Sequence, residues 1–176
     1  KVSMDSKDFI LPSAPKPAHP SSNVIAIAGN WYSRVGDGDF ATWSSPGESL
    51  TYVKTDLKKR ARRIRNFTYV GYNIRRDYGV VDCSKMSALH FDVYVTEGMS
   101  IGVTPVSKDP LDDDSRNVEH VLRFDVQPGW NSIDVPLIEF RRGTPGFDLS
   151  RIHLLKWDGG NGTSDIVIDN VYFYHN

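Results

Sequence analysis

Strand follows strand through most of this sequence, and no long helical pattern interrupts them. From Asn23 onward come ESLTYVKT (48–55), RNFTYVGYNI (65–74), SALHFDVYV (87–95) and MSIGVTPV (99–106). VEHVLRFDV (118–126), NSIDVPL (131–137), RIHLLKW (151–157) and DIVIDNVYFY (165–174) complete the series. All are rich in β-branched and aromatic residues, which suit a pleated, half-buried surface. Several alternate with period two. Leu89, Phe91, Val93 and Val95 face one way, and His90, Asp92 and Tyr94 the other. In the last run, Ile166, Ile168, Asn170, Tyr172 and Tyr174 are expected on one face, with Val167, Asp169, Val171 and Phe173 opposite. Turn-forming stretches such as GDGD, SSPG, TEG, KDPLDDD, QPGW, RGTPG and DGGNG punctuate the runs. About nine short strands of this kind predict an all-β fold, an antiparallel β-sandwich of the jelly-roll type, with an up-and-down barrel as the alternative.

Composition narrows the function classes. The net charge is −1, which argues against a general nucleic-acid binder. One cysteine, Cys83, allows neither an internal disulfide nor a cysteine-rich metal site. No apolar run reaches the roughly 18 residues of a membrane span, so no membrane insertion is expected. The opening KVSMDSKDFILPS lacks the apolar stretch of a signal peptide. Residues 11–23, LPSAPKPAHPSSN, hold four prolines and little to bury. Residues 1–22 are therefore expected to be a Pro-rich linker or the tail of a preceding domain, and residues 23–176 the folded module.

Three segments carry a resemblance: NVIAIAGNWYS, SALHFDVYV, and WNSIDVPLIEF…FDLSRIHLLKWDGG…IVIDNVYFYHN. Together they resemble β-sandwich carbohydrate-binding modules of bacterial glycan-degrading enzymes and surface glycan-binding proteins. The likeness spans residues 23–176 and is strongest from Asn131 onward. It implies a non-catalytic module that targets a larger, secreted or cell-surface bacterial protein to polysaccharide. Neighbouring domains in a longer chain and a monomeric state go with that reading. It also implies a structural calcium ion between the first strand region and the last strand, with Asp169 as the late-strand ligand. Asn30, Asp37 and Asp39 are its possible partners, although AGN stands where the family tends to place an acid. Two alternatives stay open: a structural or protein-interaction sandwich acting as a spacer, and a small glycan hydrolase or lyase.

Catalytic signatures are sparse. The five histidines are scattered without ligand spacing. Glu48, Asp92, Glu119, Asp134 and Glu139 are the acids that paired glycosidase chemistry would have to draw on. The expectation is therefore that the chain is not an enzyme.

Sugar binding needs aromatic faces to stack on pyranose C–H groups and planar polar groups to meet hydroxyls. Trp130, Trp157 and Phe91, Phe124, Phe140, Phe147 and Phe173 read as core or rim. Trp31, Tyr32 and Trp43 flank the polar loop SRVGDGDFATWSSPG, and Tyr72, Arg75, Arg76 and Tyr78 cluster in GYNIRRDYG. These two segments are the expected ligand contacts, against a reading in which Trp31 and Trp43 plug one end of the sandwich.

The stretch KKRARRIR (58–65) carries six positive charges. As a strand it would have no apolar face, so it is expected at a hairpin tip or a sheet edge. There it would either block edge-to-edge association or attract an anionic ligand such as an acidic glycan.

Overall fold

A computed structural model describes residues 3–42, 47–109, 117–161 and 164–176. The strands in chain order are β1 (Val24–Ala28), β2 (Asp39–Ala41), β3 (Ser49–Lys54), β4 (Arg60–Phe67), β5 (Tyr69–Asn73) and β6 (Ala88–Val95). Then follow β7 (Met99–Lys108), β8 (Asn117–Glu119), β9 (Leu122–Val126), β10 (Gly129–Pro136), the short helix α1 (Leu137–Gly143), β11 (Ile152–Asp158) and β12 (Ser164–Tyr174).

The strands form two antiparallel sheets. The first runs β10-β6-β12-β4-β3, with β1 also on β12; the second runs β2-β5-β11-β7-β8, with β9 also on β7. In each sheet one long strand offers an edge to two shorter ones. β4 takes the first half of β12 and β1 the second. β9 takes the start of β7 and β8 its end. The fold is the expected antiparallel β-sandwich, and its two sheets do not merge into one closed barrel.

The core lies between the sheets. Leu89, Phe91, Val93 and Val95 of β6 meet Ile152, Leu155 and Trp157 of β11. The Trp157 ring lies 5.9 Å from both Phe40 and Phe91. Thus β6 alternates as its sequence dictates. β12 does so only in part. Ile166 and Ile168 are in the core, but so are Val171 and Phe173, while Tyr172 packs against His90 on the outside. A register shift between Asp169 and Tyr172 reverses the faces. Asn170 sits there at φ +50, and a bulge of this kind inserts an unpaired residue into the ladder. Gly29 approaches so closely that an added Cβ would lie 3.2 Å from the Asn170 backbone.

The basic stretch corrects its expectation. Most of it forms β4, an interior strand between β12 and β3, not a hairpin tip or an edge. Ile64 and Phe67 enter the core. The outward arginine is neutralised: Arg63 is 8% exposed at its side chain and pairs with Asp5 at 2.9 Å and with Asp165. Arg65 reaches the same Asp5 at 3.2 Å. The run RNFTYVGYNI, expected as one strand, divides into the end of β4 and β5, which lie in different sheets.

Residues 3–20, which the sequence reads as spacer, lie against the outer face of the first sheet. Met4 and Leu11 are buried against Ala61 and Val167. The Trp130 indole N–H donates to the Pro12 carbonyl at 2.6 Å, and the Tyr32 hydroxyl to that of His19 at 2.6 Å. The Asn170 amide donates to the Pro15 carbonyl at 3.2 Å. Proline-rich chain has few amides to satisfy, so side chains of the sheet reach its carbonyls.

Candidate functional site

The N-terminal segment covers one sheet, so among the described residues the outer face of the other is the open one. Inward alternation of Val70, Tyr72, Ile101, Val103, Leu155 and Trp157 sends the intervening side chains of β5, β7 and β11 outward. Tyr69, Asn73 and Lys156 line a depression of about 520 Å³ there. The buried His153 and Leu154, together with Lys108, Asn117 and the exposed Tyr78, complete its lining.

The polar groups of this face are fixed by one another. His153 Nε2 lies 2.9 Å from Asn117 Oδ1, and Lys156 Nζ 2.9 Å from Glu119 Oε2. Arg123 pairs with Asp158 at 2.6 Å and donates through Nε to Ser100 Oγ at 3.0 Å. Gly102 permits that pair, because an added Cβ would meet Asp158 Oδ2 at 2.4 Å and Arg123 Nη1 at 2.7 Å. Tyr78 is 61% exposed and held at φ +60. A bulky exposed ring in left-handed backbone is strained, and such strain tends to cluster at ligand sites.

Chemically the face presents rings, amides and ammonium groups on a rigid sheet. It suits stacking on sugar C–H faces and hydrogen bonding to hydroxyls. The acids considered for catalysis are each engaged by a partner, Glu119 on this face and the others away from it. Glu48 accepts from the amides of Thr68 and Tyr69, and Asp92 accepts from Ser132 and Asn170. Asp134 bonds His90 and Tyr174, Glu119 bonds Lys156, and Glu139 faces Arg142 at 3.8 Å.

Two histidines titrate unusually. Burial, aided by Lys108 and Lys156, pushes His153 down to about 4, so it is neutral at pH 7. Its Nε2 is then the donor to Asn117. His90, on the outer face of the first sheet, behaves oppositely. Burial works to lower it, but hydrogen bonds to Asp134 and Asp92 prevail and raise it to about 9. The consequences for stability have opposite signs. His90 stabilises fully below its unfolded value near 6.5 and loses that contribution as pH rises through 9. His153 contributes above 6.5 and loses that as pH falls toward 4. Each change is on the order of 3 kcal/mol at most. Urea denaturation across pH 4–10 is expected to show greatest stability near pH 6.5. In His90→Gln the decline on the alkaline side should flatten, and an unchanged alkaline limb would refute the assignment.

The residues expected to bind ligand do not form one surface. Tyr78 borders the depression. Arg75 and Arg76 stand at a neighbouring hollow with Asp37, whose carboxylate and carbonyl both accept from Arg76. Tyr72 is buried, its hydroxyl donating to the Ile27 carbonyl at 3.0 Å. Trp31 and Tyr32 are half-buried near the N-terminal segment. Lys16 and Lys59 stack over Trp31 at 4.7 and 5.6 Å, and Tyr32 lies edge-on to Tyr172. Trp43, the Ser-Ser-Pro after it and most of the acidic turn KDPLDDD lie outside the described residues. Tyr69, Asn117, His153 and Lys156 line the depression without standing out in the sequence. Their signal was the outward half of ordinary alternation, which the sequence shares with any solvated strand.

Of the expected calcium ligands, Asn30, Asp39 and Asp169 line one cleft and Asp37 does not. The donor set does not fit the ion. Asp39 is held by Arg62 at 2.5 Å, the Asn30 amide donates to the Arg60 carbonyl, and three arginines share the cleft. Among the described residues no three of His, Cys, Asp and Glu cluster as a metal site.

No family model and no curated protein matches the chain. Solved structures do share its fold. A family 11 carbohydrate-binding module from Clostridium thermocellum, in complex with a β-1,3-1,4-mixed-linked tetrasaccharide, superposes with a TM-score of 0.59 at 17% identity. That alignment covers 86% of this chain and 95% of the other. The family 30 module of a cellulosomal cellulase from the same organism gives 0.63 at 14% identity, covering 87% and 98%. The chain therefore has the β-sandwich fold seen in these carbohydrate-binding modules.

Proposed function

We propose that this chain is a non-catalytic carbohydrate-binding module whose glycan lies across the outer face of the second sheet. The observation that carries the reading is the open depression lined by Tyr69, Tyr78, His153 and Leu154. The shared fold supports it, as does the family 11 module's tetrasaccharide complex. On this reading the module holds a larger secreted or cell-surface protein on polysaccharide. Lys156 and Arg123 are each matched by an acid on this face, so it favours a neutral glycan stretch. Affinity is modest, because a shallow site buries little area.

Affinity electrophoresis and calorimetry against a panel of neutral and acidic polysaccharides test this. Binding to at least one neutral glycan should persist in high salt. Tyr78→Ala should weaken it by about tenfold, the order of an aromatic anchor, with the melting temperature nearly unchanged. No retention across the panel, or full retention in Tyr78→Ala and Tyr69→Ala together, would overturn the assignment and favour a spacer domain.

A further inference from the structure

The other face of the Arg-rich strand leads into a second site. Ala61, Arg63 and Arg65 of β4 point outward beneath the N-terminal segment, where acids match the arginines. Ile64 points inward and is fully buried. Arg62 and Arg60, on that same side, run past the end of the core into a cleft of about 240 Å³ between the sheets. Arg34 and Phe40 stand across it, and Tyr52 of β3 forms a half-exposed wall. The guanidinium carbons of Arg60 and Arg62 lie 4.1 and 4.2 Å from the Tyr52 ring centre.

Charge is unbalanced here. Arg62 is paired with Asp39. Arg34 is positioned by neutral acceptors, the Gly38 carbonyl at 2.7 Å and the Tyr72 hydroxyl at 3.2 Å. Among the described residues neither Arg34 nor Arg60 makes a salt bridge, although Arg34 is near enough to help hold the Asp37 carboxyl below its ordinary value. The remaining acid of the cleft, Asp169, is buried and accepts from the Asn170 amide, and it pairs with neither arginine. Converging like charges repel, and a purely structural strand would match them, as β4 does on its outer face. Edge protection does not account for them, because β4 is an interior strand. Two guanidinium groups at one cleft, Arg34 held by Gly38 and Tyr72 and Arg60 stacked on Tyr52, are suited to a planar or tetrahedral oxyanion.

We propose that this cleft binds an oxyanion borne on a sugar-sized ligand, a carboxylate or a sulfate ester, with Arg34 and Arg60 as donors. The site is separate from the second-sheet face and stands or falls independently of it.

Titrations followed by NMR, reading the arginine Nε–H signals and the amides of Tyr52 and Arg60, test the proposal. The probes are D-glucuronate, D-glucose 6-sulfate and D-glucose as neutral control. Saturable shifts with glucuronate support a uronic-acid source, and with the 6-sulfate a sulfated one. Arg60→Gln and Arg34→Gln should each weaken that response by about tenfold, while neutral polysaccharide binding at the other face stays as in the parent. Arg60 and Arg34 are exposed, so both variants should fold, and unchanged circular dichroism checks this. Equal response to D-glucose, no saturation with either anion, or wild-type response in both variants overturns the proposal. If neutral polysaccharide binding is lost in the parent while the anion response persists, only the glycan-face reading fails.

Discussion

Trp157→Ala is expected to destabilise the protein by about 4 kcal/mol, the range for truncating a large buried aromatic ring. Trp157 is 1% exposed and bridges the sheets, with Phe40 on its own side of the core and Phe91 across from it. For a chain of this size each kcal/mol lowers the melting temperature by about 2–4 °C, so a drop on the order of 8–16 °C should appear. Trp157→Phe should behave differently. The buried indole N–H finds no acceptor among the described residues. Removing it relieves an unpaired donor and offsets part of the lost volume, leaving a cost under about 1.5 kcal/mol. Thermal and urea unfolding of both variants measures this. An alanine variant that melts within a degree or two of the parent would contradict the central place of Trp157.

Arg63→Ala is expected to cost about 3 kcal/mol, since breaking a buried ion pair leaves the partner charge unmatched. Asp165 is the group left behind. Burial works to raise its carboxyl, but the Asn66 amide and the Arg63 guanidinium outweigh it and hold it below the ordinary carboxylate value. Its stabilisation is therefore present above the unfolded carboxylate value and lost as pH falls through the lowered one. The substitution should also loosen the N-terminal segment. Arg63 donates to the Met4 carbonyl as well as to Asp5, so hydrogen exchange at Phe9 and Asp56 should quicken. Their amides bond Ser6 and Leu11 within and beneath that segment. Exchange as slow as in the parent, with the melting temperature unmoved, would mean that the pair does not hold the segment down.

Much of the candidate site was out of reach of sequence reasoning. Tyr78 was singled out as an aromatic in a polar, turn-rich stretch, and it does border the open depression. Tyr72 looked equivalent, yet the β5 pleat turns it into the core, where Ile27 and Gly38 accept from its hydroxyl. His153 and Lys156 belong to a strand whose identity was plain but whose outward face looked like any solvated face. What makes that face a candidate site is that residues 3–20 cover the opposite sheet and that this one is left open among the described residues.

By itself the sequence determined most of the strand-forming segments, the sandwich, and the inward row of β6. These follow from period-two alternation and turn chemistry, which are local. Tertiary structure alone decided three things: the reversal of faces at Asn170, the interior place of β4, and the pairing of its arginines. Arg63 meets Asp5 and Asp165 across 58 and 102 residues of chain. A charge so matched is indistinguishable in sequence from one left free, because the match depends on which strands lie side by side. The same dependence separates Arg63, neutralised under the N-terminal segment, from Arg60, which faces an open cleft with no salt bridge among the described residues.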